Sequence, residues 1–153
     1  MKNQKLLTFI NKFKSSQQFA AKEVVVFLKN NTNAKIIEDF NRQQLAKGKD
    51  SKDVKLGDYG ETRSWERERA GLQVGFIDLK FTEKFHESIF VNSGLITDKK
   101  AALFVGSSDP KFGDIMDDER FKSALGLNQE DRDKVGFMIA QHLQKELLRY
   151  YSV

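Results

Sequence analysis

The stretch from Arg69 to Gly94 is where the chain changes from a polar to an alternating pattern, and it constrains the fold more than any other part. Within residues 76–81, side chains at odd and even positions fall on opposite faces, the period of two that a half-buried strand shows. Thr82 is suited to cap a short helical turn over residues 83–85. The sequence therefore predicts a strand followed by a turn.

A second strand is predicted over residues 87–91, ending at the turn-forming tripeptide Asn92-Ser93-Gly94. Beyond that loop, residues 101–106 are apolar and rich in β-forming side chains. We expect the two segments to pair as an antiparallel hairpin.

Length and composition predict a single domain over residues 1–153 with a core rich in phenylalanine. The chain has 153 residues, of which 39% are hydrophobic, 31% are charged and 13 are phenylalanine. A chain of this size buries roughly 68–70% of its unfolded surface. The absence of cysteine excludes disulfides and thiolate metal sites, and no window approaches 18 consecutive apolar residues. We expect a protein that does not cross a membrane.

The amino-terminal part, residues 1–45, is predicted to be mainly helical. Apolar side chains recur at helical spacing in a first short helix, at Leu6, Phe9, Ile10 and Phe13. Ser15 or Ser16 is suited to cap a second helix, although residues 24–28 have strand-like composition. A turn is expected at residues 30–33, and residues 34–45 fit either a strand or a helix.

Residues 46–75 are predicted to form a long extended arm, because they hold five of the ten glycines and few regular apolar spacings. Fully extended, the segment reaches up to about 100 Å, enough to cross a neighbouring copy. A helical turn or two is expected over Glu61–Arg69, with Gly71 just beyond its end. Trp65 either packs in the chain's own core or anchors an interface. The candidate interface residues are Tyr59, Arg63, Trp65, Arg67 and Arg69.

A helix from about Gln129 to Tyr150 is predicted near the carboxyl end. Asn128 is a good cap residue, and acidic side chains occupy the first turn. One apolar stripe follows, made of Val135, Met138, Ile139, Leu143, Leu147 and Tyr150. With residues 76–107 as antiparallel strands, the predicted fold class is α+β: a small antiparallel sheet packed on amphipathic helices, with a long extended arm.

No set of residues predicts catalysis, a cofactor or a metal. His142 and Glu146 have the i, i+4 spacing of metal ligands but lack a third ligand, so a helix-face pair is the simpler interpretation. Glu83, His86 and Glu87 could also converge on one site, but a solvated polar face explains these three residues equally well. The acidic run over residues 114–119 lacks the ligand spacing and glycine of a calcium loop, and no phosphate-binding or nucleophile motif is present. We therefore expect a protein that is not an enzyme.

Charge is distributed unevenly along the chain. Residues 1–60 carry 12 basic and 6 acidic side chains, residues 61–100 carry 7 of each, and residues 101–153 carry 7 basic and 9 acidic ones. Solvated helix faces explain this imbalance, and so do two functional alternatives. One is contact with nucleic acid through the basic part, and the other is head-to-tail contact between copies.

Two blocks of sequence together resemble a known protein family. Residues 79–91, LKFTEKFHESIFV, resemble the L-x-x-T-G-x-F-x-x-S-F signature of tailed-phage virion morphogenesis proteins, the Mu-like and lambdoid tail-completion or neck proteins. Glu83 stands where the family has glycine. Residues 118–147 resemble the R-x-F-L-G-L-x-x-E-D ending of the same proteins. The matching residues are Leu79, Thr82, Phe85, Ser88 and Ile89 in the first block and Arg120, Phe121, Leu125, Gly126, Leu127, Glu130 and Asp131 in the second.

Residues 36–59 are similar to the polar lead-in of related proteins, so the resemblance extends over most of residues 36–150. It implies a structural virion protein of the head–tail junction, assembled in the host cytoplasm into a ring of six or twelve copies. Its implied partners are further copies, neighbouring portal, connector or tail proteins, and packaged DNA. The resemblance implies no enzymatic activity.

Two other functions stay open on the sequence alone. A small nucleic-acid-binding protein would use the basic first sixty residues, and its DNA binding would weaken with salt. The aromatic residues in that part are phenylalanines at core spacing, which does not favour base stacking. An enzyme acting on the cell envelope would need a carboxylate pair in a cleft, for which the sequence offers no candidate.

Overall fold

The computed structural model describes residues 2–80 and 84–151, with side chains described for 15–80 and 84–151. The two strands pair antiparallel, so the predicted α+β class with a small antiparallel sheet on helices is confirmed. The elements in chain order are α1 (Lys2–Lys29), α2 (Asn31–Ala46), α3 (Glu61–Arg69), α4 (Lys84–Glu87), β1 (Ile89–Thr97), β2 (Lys100–Ser107), α5 (Phe112–Asp117), a 3₁₀ turn (Glu119–Phe121) and α6 (Gln129–Tyr151).

The amino-terminal part forms two long helices, one of which spans a predicted break. Ser15 and Ser16 were expected to cap a second helix, but both lie inside α1. The helix continues because its later turns pack on the hairpin and on α6. The turn predicted at residues 30–33 consists of Asn30 alone, between the two helices. The Asn30 side chain accepts a hydrogen bond from the Thr32 N–H at 3.0 Å and caps α2. The predicted apolar face over residues 6–13 lies outside the described side chains.

The hairpin is confirmed, but its turn lies farther along the chain than predicted. Asn92, Ser93 and Gly94 were expected to end the strand, yet they lie inside β1, where Gly94 pairs with Ala102. The chain reverses at Asp98 and Lys99 instead. The Gln18 side chain donates to the Asp98 carboxylate at 2.7 Å and so holds the hairpin tip against α1. This contact with α1 favours the longer hairpin.

The central strand predicted over residues 76–81 is wrong for the residues that are described. Residues 76–80 form a loop, and Leu79 adopts a φ of 54°, which lies outside the range of a β-strand. The buried Asp78 side chain accepts a hydrogen bond from the Lys80 N–H at 2.9 Å and so imposes a local turn. Phe81, the Thr82 cap and Glu83 lie outside the described residues.

The helix α4 includes the first residue of the second predicted strand. Glu87 was assigned to a strand over residues 87–91, but it ends α4, and β1 begins at Ile89. The Ser88 N–H donates to the Lys84 carbonyl at 2.9 Å, so helical hydrogen bonding continues past Glu87. The short turn expected after Thr82 is therefore a single helical turn placed slightly later.

The segment 46–75 is tied back to the body instead of being extended throughout. The helix α3 has the predicted bounds, and Gly71, one residue past its cap, has a φ of 69°. Leu56 is almost fully buried, and its N–H donates to the Gly48 carbonyl at 2.9 Å. The Ser51 N–H donates to the Ser123 carbonyl at 2.8 Å. These contacts hold the first half of the segment against the carboxyl-terminal part.

The predicted terminal helix is confirmed. Asn128 accepts a hydrogen bond from the Asp131 N–H at 2.9 Å, as expected of a cap. The helix α6 packs on α1, where Glu23 and His142 meet at 3.2 Å and Phe19 stacks on Tyr150. Two apolar clusters form the core, one of Leu45, Leu56, Ile77, Phe85, Ile89 and Ala124 and one of Phe27, Leu28, Ile37, Leu127 and Val135.

Candidate interface

The helix α3 presents Trp65 to solvent. Its side chain is 57% exposed, which excludes the alternative that Trp65 packs in the chain's own core. The Arg69 guanidinium carbon lies 4.6 Å from the centre of the indole ring, a cation–π contact. On the same helix, Arg63 pairs with Glu66 at 2.8 Å. The exposed side of α3 therefore carries an aromatic ring with one arginine, Arg69, over its face.

Arg67 does not share that exposed side, and its prediction as an interface residue is wrong. Only 1% of its surface is exposed, and its guanidinium forms an ion pair with Asp78 at 3.0 Å. It also donates to the carbonyls of Gln73 and Lys80, and it lies over the Tyr59 ring at 4.3 Å. The side chain turns inward because these acceptors satisfy its charge and its N–H groups.

Asp78 is the centre of this buried network. One carboxylate oxygen accepts from Arg67 and from the Gln73 amide, and the other accepts from the Tyr59 hydroxyl at 2.8 Å and the Lys80 N–H. These contacts join α3, and Tyr59 just before it, to the loop that follows α3. The network therefore fixes α3 on the body and fixes the direction in which Trp65 points.

Tyr59 belongs to this network more than to the exposed surface. Its hydroxyl donates to Asp78, and its ring is half-buried. Burial raises the pKa of Tyr59 above its usual value, and the neighbouring Asp78 carboxylate adds to that rise. Tyr59 is therefore neutral at physiological pH and remains a hydrogen-bond donor.

A cleft of about 280 Å³ opens beside α3. Tyr59, Arg63 and Arg67 form one side of it, so three of the five predicted interface residues meet there. Apolar and charged side chains from the loop before α4, from α4 and from the segment after β2 complete the lining: Leu79, Phe85, Asp109, Lys111 and Ile115. Arg63 and Arg67 are each two residues from Trp65 in α3, so the cleft and Trp65 lie on different sides of the helix. We use the name α3 surface for the exposed side that carries Trp65 and Arg69.

The histidines do not gather a metal site. His86 is buried, and its Nε2 lies 2.7 Å from the Asp78 carbonyl; since a carbonyl only accepts, Nε2 carries the proton. Burial lowers the pKa of His86, so the ring is neutral. Glu87 is exposed, while Glu83 lies outside the described residues. Within the described part of the chain, no three potential ligands are grouped to hold a metal.

The helix-face interpretation predicted that His142 pairs with Glu146, but the two residues have other partners. His142 contacts Glu23 of α1, whereas Glu146 pairs with Arg149 at 2.9 Å. In the acidic run after α5, Asp118 pairs with Arg120 at 2.6 Å, and this partner lowers the pKa of Asp118 to about 2. These carboxylates stabilise local structure.

Several residues of the resembling blocks have structural roles. Leu125 packs on the first apolar cluster and Leu127 belongs to the second, with Gly126 between them at a φ of 122°. A Cβ added to Gly126 would lie 3.2 Å from Ser51. In the other block, the Ser88 hydroxyl donates to the Phe85 carbonyl at 2.7 Å. These described matching positions therefore support the fold.

The network residues Gln73 and Asp78 were missed by sequence reasoning. Asp78 lies among apolar residues, and this was the one signal available, but the alternating pattern placed it on one face of a predicted strand. Gln73 gave no signal.

Comparison with protein-family models, curated proteins and solved structures finds no match for this chain. In the described ranges, no helix is long and apolar enough to cross a membrane.

Proposed function

We propose that this chain is a structural subunit of the head–tail junction of a tailed bacteriophage, which assembles as a ring of identical copies. The observation that carries this proposal is the rigid presentation of Trp65. A tryptophan that is 57% exposed lies on a helix held to the body by a buried ion pair. Exposed aromatic side chains with arginine neighbours are typical anchors of protein interfaces.

The rigid attachment of α3 favours an assembly role. Binding is weakened when side chains or loops must be ordered on contact, and a surface that is ordered beforehand avoids that cost. Arg67 and Asp78 order α3 before any partner arrives, since both are buried within the chain. The resemblance of residues 79–91 and 118–147 to neck and tail-completion proteins gives the kind of assembly.

A ring agrees with the uneven charge. The first sixty residues are basic and the last fifty are mildly acidic, so unlike parts of neighbouring copies attract each other. Head-to-tail contacts of this kind close into rings when the rotation between copies divides a full turn. We propose six or twelve copies, in contact with portal, connector or tail proteins and with packaged DNA.

Electron microscopy of particles that carry a labelled copy tests the location. We expect ring-shaped density at the neck, and absence of the chain from virions would reject the proposal. Native mass spectrometry of the assembled junction gives the copy number, and a single copy would reject the ring.

Trp65→Ala tests the α3 surface. We expect the chain to stay folded but to join particles poorly, because aromatic anchors contribute ~2 kcal/mol or more. Phe137→Ala is a matched control, since Phe137 is 64% exposed but lies on α6. If both variants join particles as well as the unchanged chain, the α3 surface is not the contact. Salt tests the charge contribution, since exposed pairs are screened beyond about 10 Å at ~0.1 M.

The alternative, a small nucleic-acid-binding protein, gains no support from Arg42, a basic residue of the first sixty. Its guanidinium pairs with Glu38 and Asp39 and donates to the carbonyls of His86 and Ile89. Arg42 thus holds α2 to the hairpin. Tight, salt-sensitive DNA binding by the purified chain would favour this alternative over the ring.

A further inference from the structure

The two outer edges of the hairpin differ in how their backbone groups are satisfied. At the β1 edge, the Val91 N–H donates to the Glu38 carboxylate, and the Ile89 carbonyl accepts from Arg42 at 3.1 Å. The Ser93 N–H donates to the Asn92 side chain at 2.8 Å. Side chains therefore occupy the β1 edge from Ile89 to Ser93.

The β2 edge has no such cover. In an antiparallel ladder, residues opposite one another point their backbone groups either both inward or both outward. Val91 and Ser93 point outward, so their partners Val105 and Leu103 also point outward. Among the described residues, no backbone or side-chain group bonds to these outward groups. The β2 edge is thus free to pair with another strand.

The sequence of β2 also lacks the usual protection of an edge strand. Natural edge strands are blocked by charged side chains, proline or bulges. Residues 101–107 contain neither a charge nor a proline, and the register with β1 is regular over this stretch. The exposed Phe104 adds an aromatic ring that is 58% exposed on the outer face of the sheet.

An open groove of about 530 Å³ lies beside this edge. It is lined by residues 103–105 of β2 and by Ser51, residues 125–127 and Arg132. Extended peptides that add to a sheet edge gain backbone hydrogen bonds along their length.

We propose that the β2 edge pairs antiparallel with the β2 edge of a second copy, around a two-fold axis at Phe104. Charge selects this occupant and orientation. The strand begins at Lys100, directly after Lys99, and is followed by Asp109, with no charge between Lys100 and Asp109. Antiparallel pairing around Phe104 brings Lys99 of one copy opposite Asp109 of the other, twice, whereas parallel pairing brings like charges together.

The same register is favourable along the strand. Phe104 faces its counterpart, and Ala102 faces Gly106 of the second copy, so the small residues leave space for both rings. Leu103 and Val105 exchange the outward hydrogen bonds. The pairing does not rest on the proposed ring, because it uses β2 and not the α3 surface.

Cysteine cross-linking tests the pairing directly, because the natural chain contains no cysteine. Phe104 lies in a non-hydrogen-bonded pair across the axis, where the Cα atoms are about 4.5 Å apart and within disulfide reach. We expect Phe104→Cys to form a covalent dimer about tenfold faster than Phe90→Cys under mild oxidation. Phe90 is the matched control, being exposed on the same face but on β1. Equal rates would overturn the proposal.

Sedimentation equilibrium gives a second test. We expect the wild-type chain to associate to dimers at high concentration and Phe104→Lys to associate about tenfold more weakly, since like charges then face each other. Circular dichroism confirms that the variant is folded. Lys99→Glu should also weaken association, and adding Asp109→Lys should restore it. A wild-type chain that stays monomeric at every concentration would overturn the pairing, and Trp65→Ala should leave the dimer intact.

Discussion

The α1–α2–α6 body and the α3 region are both packed on the rest of the chain, but by different interactions. In the body, Ile37 is fully buried among apolar side chains that include Phe27 and Val135. In the α3 region, the deepest contact is the ion pair between Arg67 and Asp78, surrounded by hydrogen bonds. The first kind of contact is non-directional, while the second requires particular distances and angles.

This difference affects what each region does. Apolar packing stabilises the body but tolerates changes that conserve volume. A buried ion pair contributes little net stability, because taking both charges out of water is costly, yet it fixes a single arrangement of its partners. The comparison indicates that the body supplies stability and that the ion pair supplies the orientation of α3.

The largest effect is expected at the ion pair. Asp78→Ala leaves the buried Arg67 without its partner and should lower the free energy of unfolding by about 3–5 kcal/mol. Urea unfolding measures this. Replacing both residues with apolar ones, Arg67→Met with Asp78→Leu, should recover most of the loss while loosening α3. A cost below about 1 kcal/mol for Asp78→Ala would show that the network is not an orienting contact.

A comparable loss is expected in the body, but with a different dependence on shape. Ile37→Ala should cost about 2–5 kcal/mol and Ile37→Val only about 0.5–1.5 kcal/mol, because the cost follows the volume removed. Both are measured by urea unfolding. If Ile37→Val cost as much as Ile37→Ala, the body would be as intolerant of small changes as the polar network, and the comparison would fail.

A smaller, pH-dependent effect is expected at His86, which borders the network. Because its pKa is lowered in the folded state, the unfolded state binds the proton more readily as the pH falls below about 6.5. Stability should therefore decline as the pH falls below about 6.5, by at most about 1.4 kcal/mol per pH unit. His86→Gln keeps a donor for the Asp78 carbonyl and should flatten this decline. If the variant shows the same decline, groups other than His86 cause the loss of stability.

The smallest effect on stability is expected at Trp65. Because it is exposed, Trp65→Ala should change the free energy of unfolding by about 0.5 kcal/mol or less. Thermal unfolding of the isolated chain measures this change. A loss above about 2 kcal/mol would place Trp65 among the stabilising contacts of the body and remove it as an interface anchor.

The sequence by itself determined the elements whose signals are local. The Asn128 cap and the apolar stripe predicted α6, the glycine after Arg69 helped predict α3, and the apolar run after Gly94 predicted the hairpin. Each depends on side chains within a few residues of one another, so periodicity and capping chemistry were sufficient.

Tertiary contacts decided the rest. Side chains in residues 76–80 alternate between apolar and polar as in a strand. Asp78, however, accepts a hydrogen bond from Arg67, which is eleven residues away in the chain. The turn at Leu79 then prevents strand pairing. The contact with Asp78 also separates Arg67 from Trp65, although both lie on α3. Helical spacing shows which residues can share a face, but only the partners across the fold decide which of them are buried.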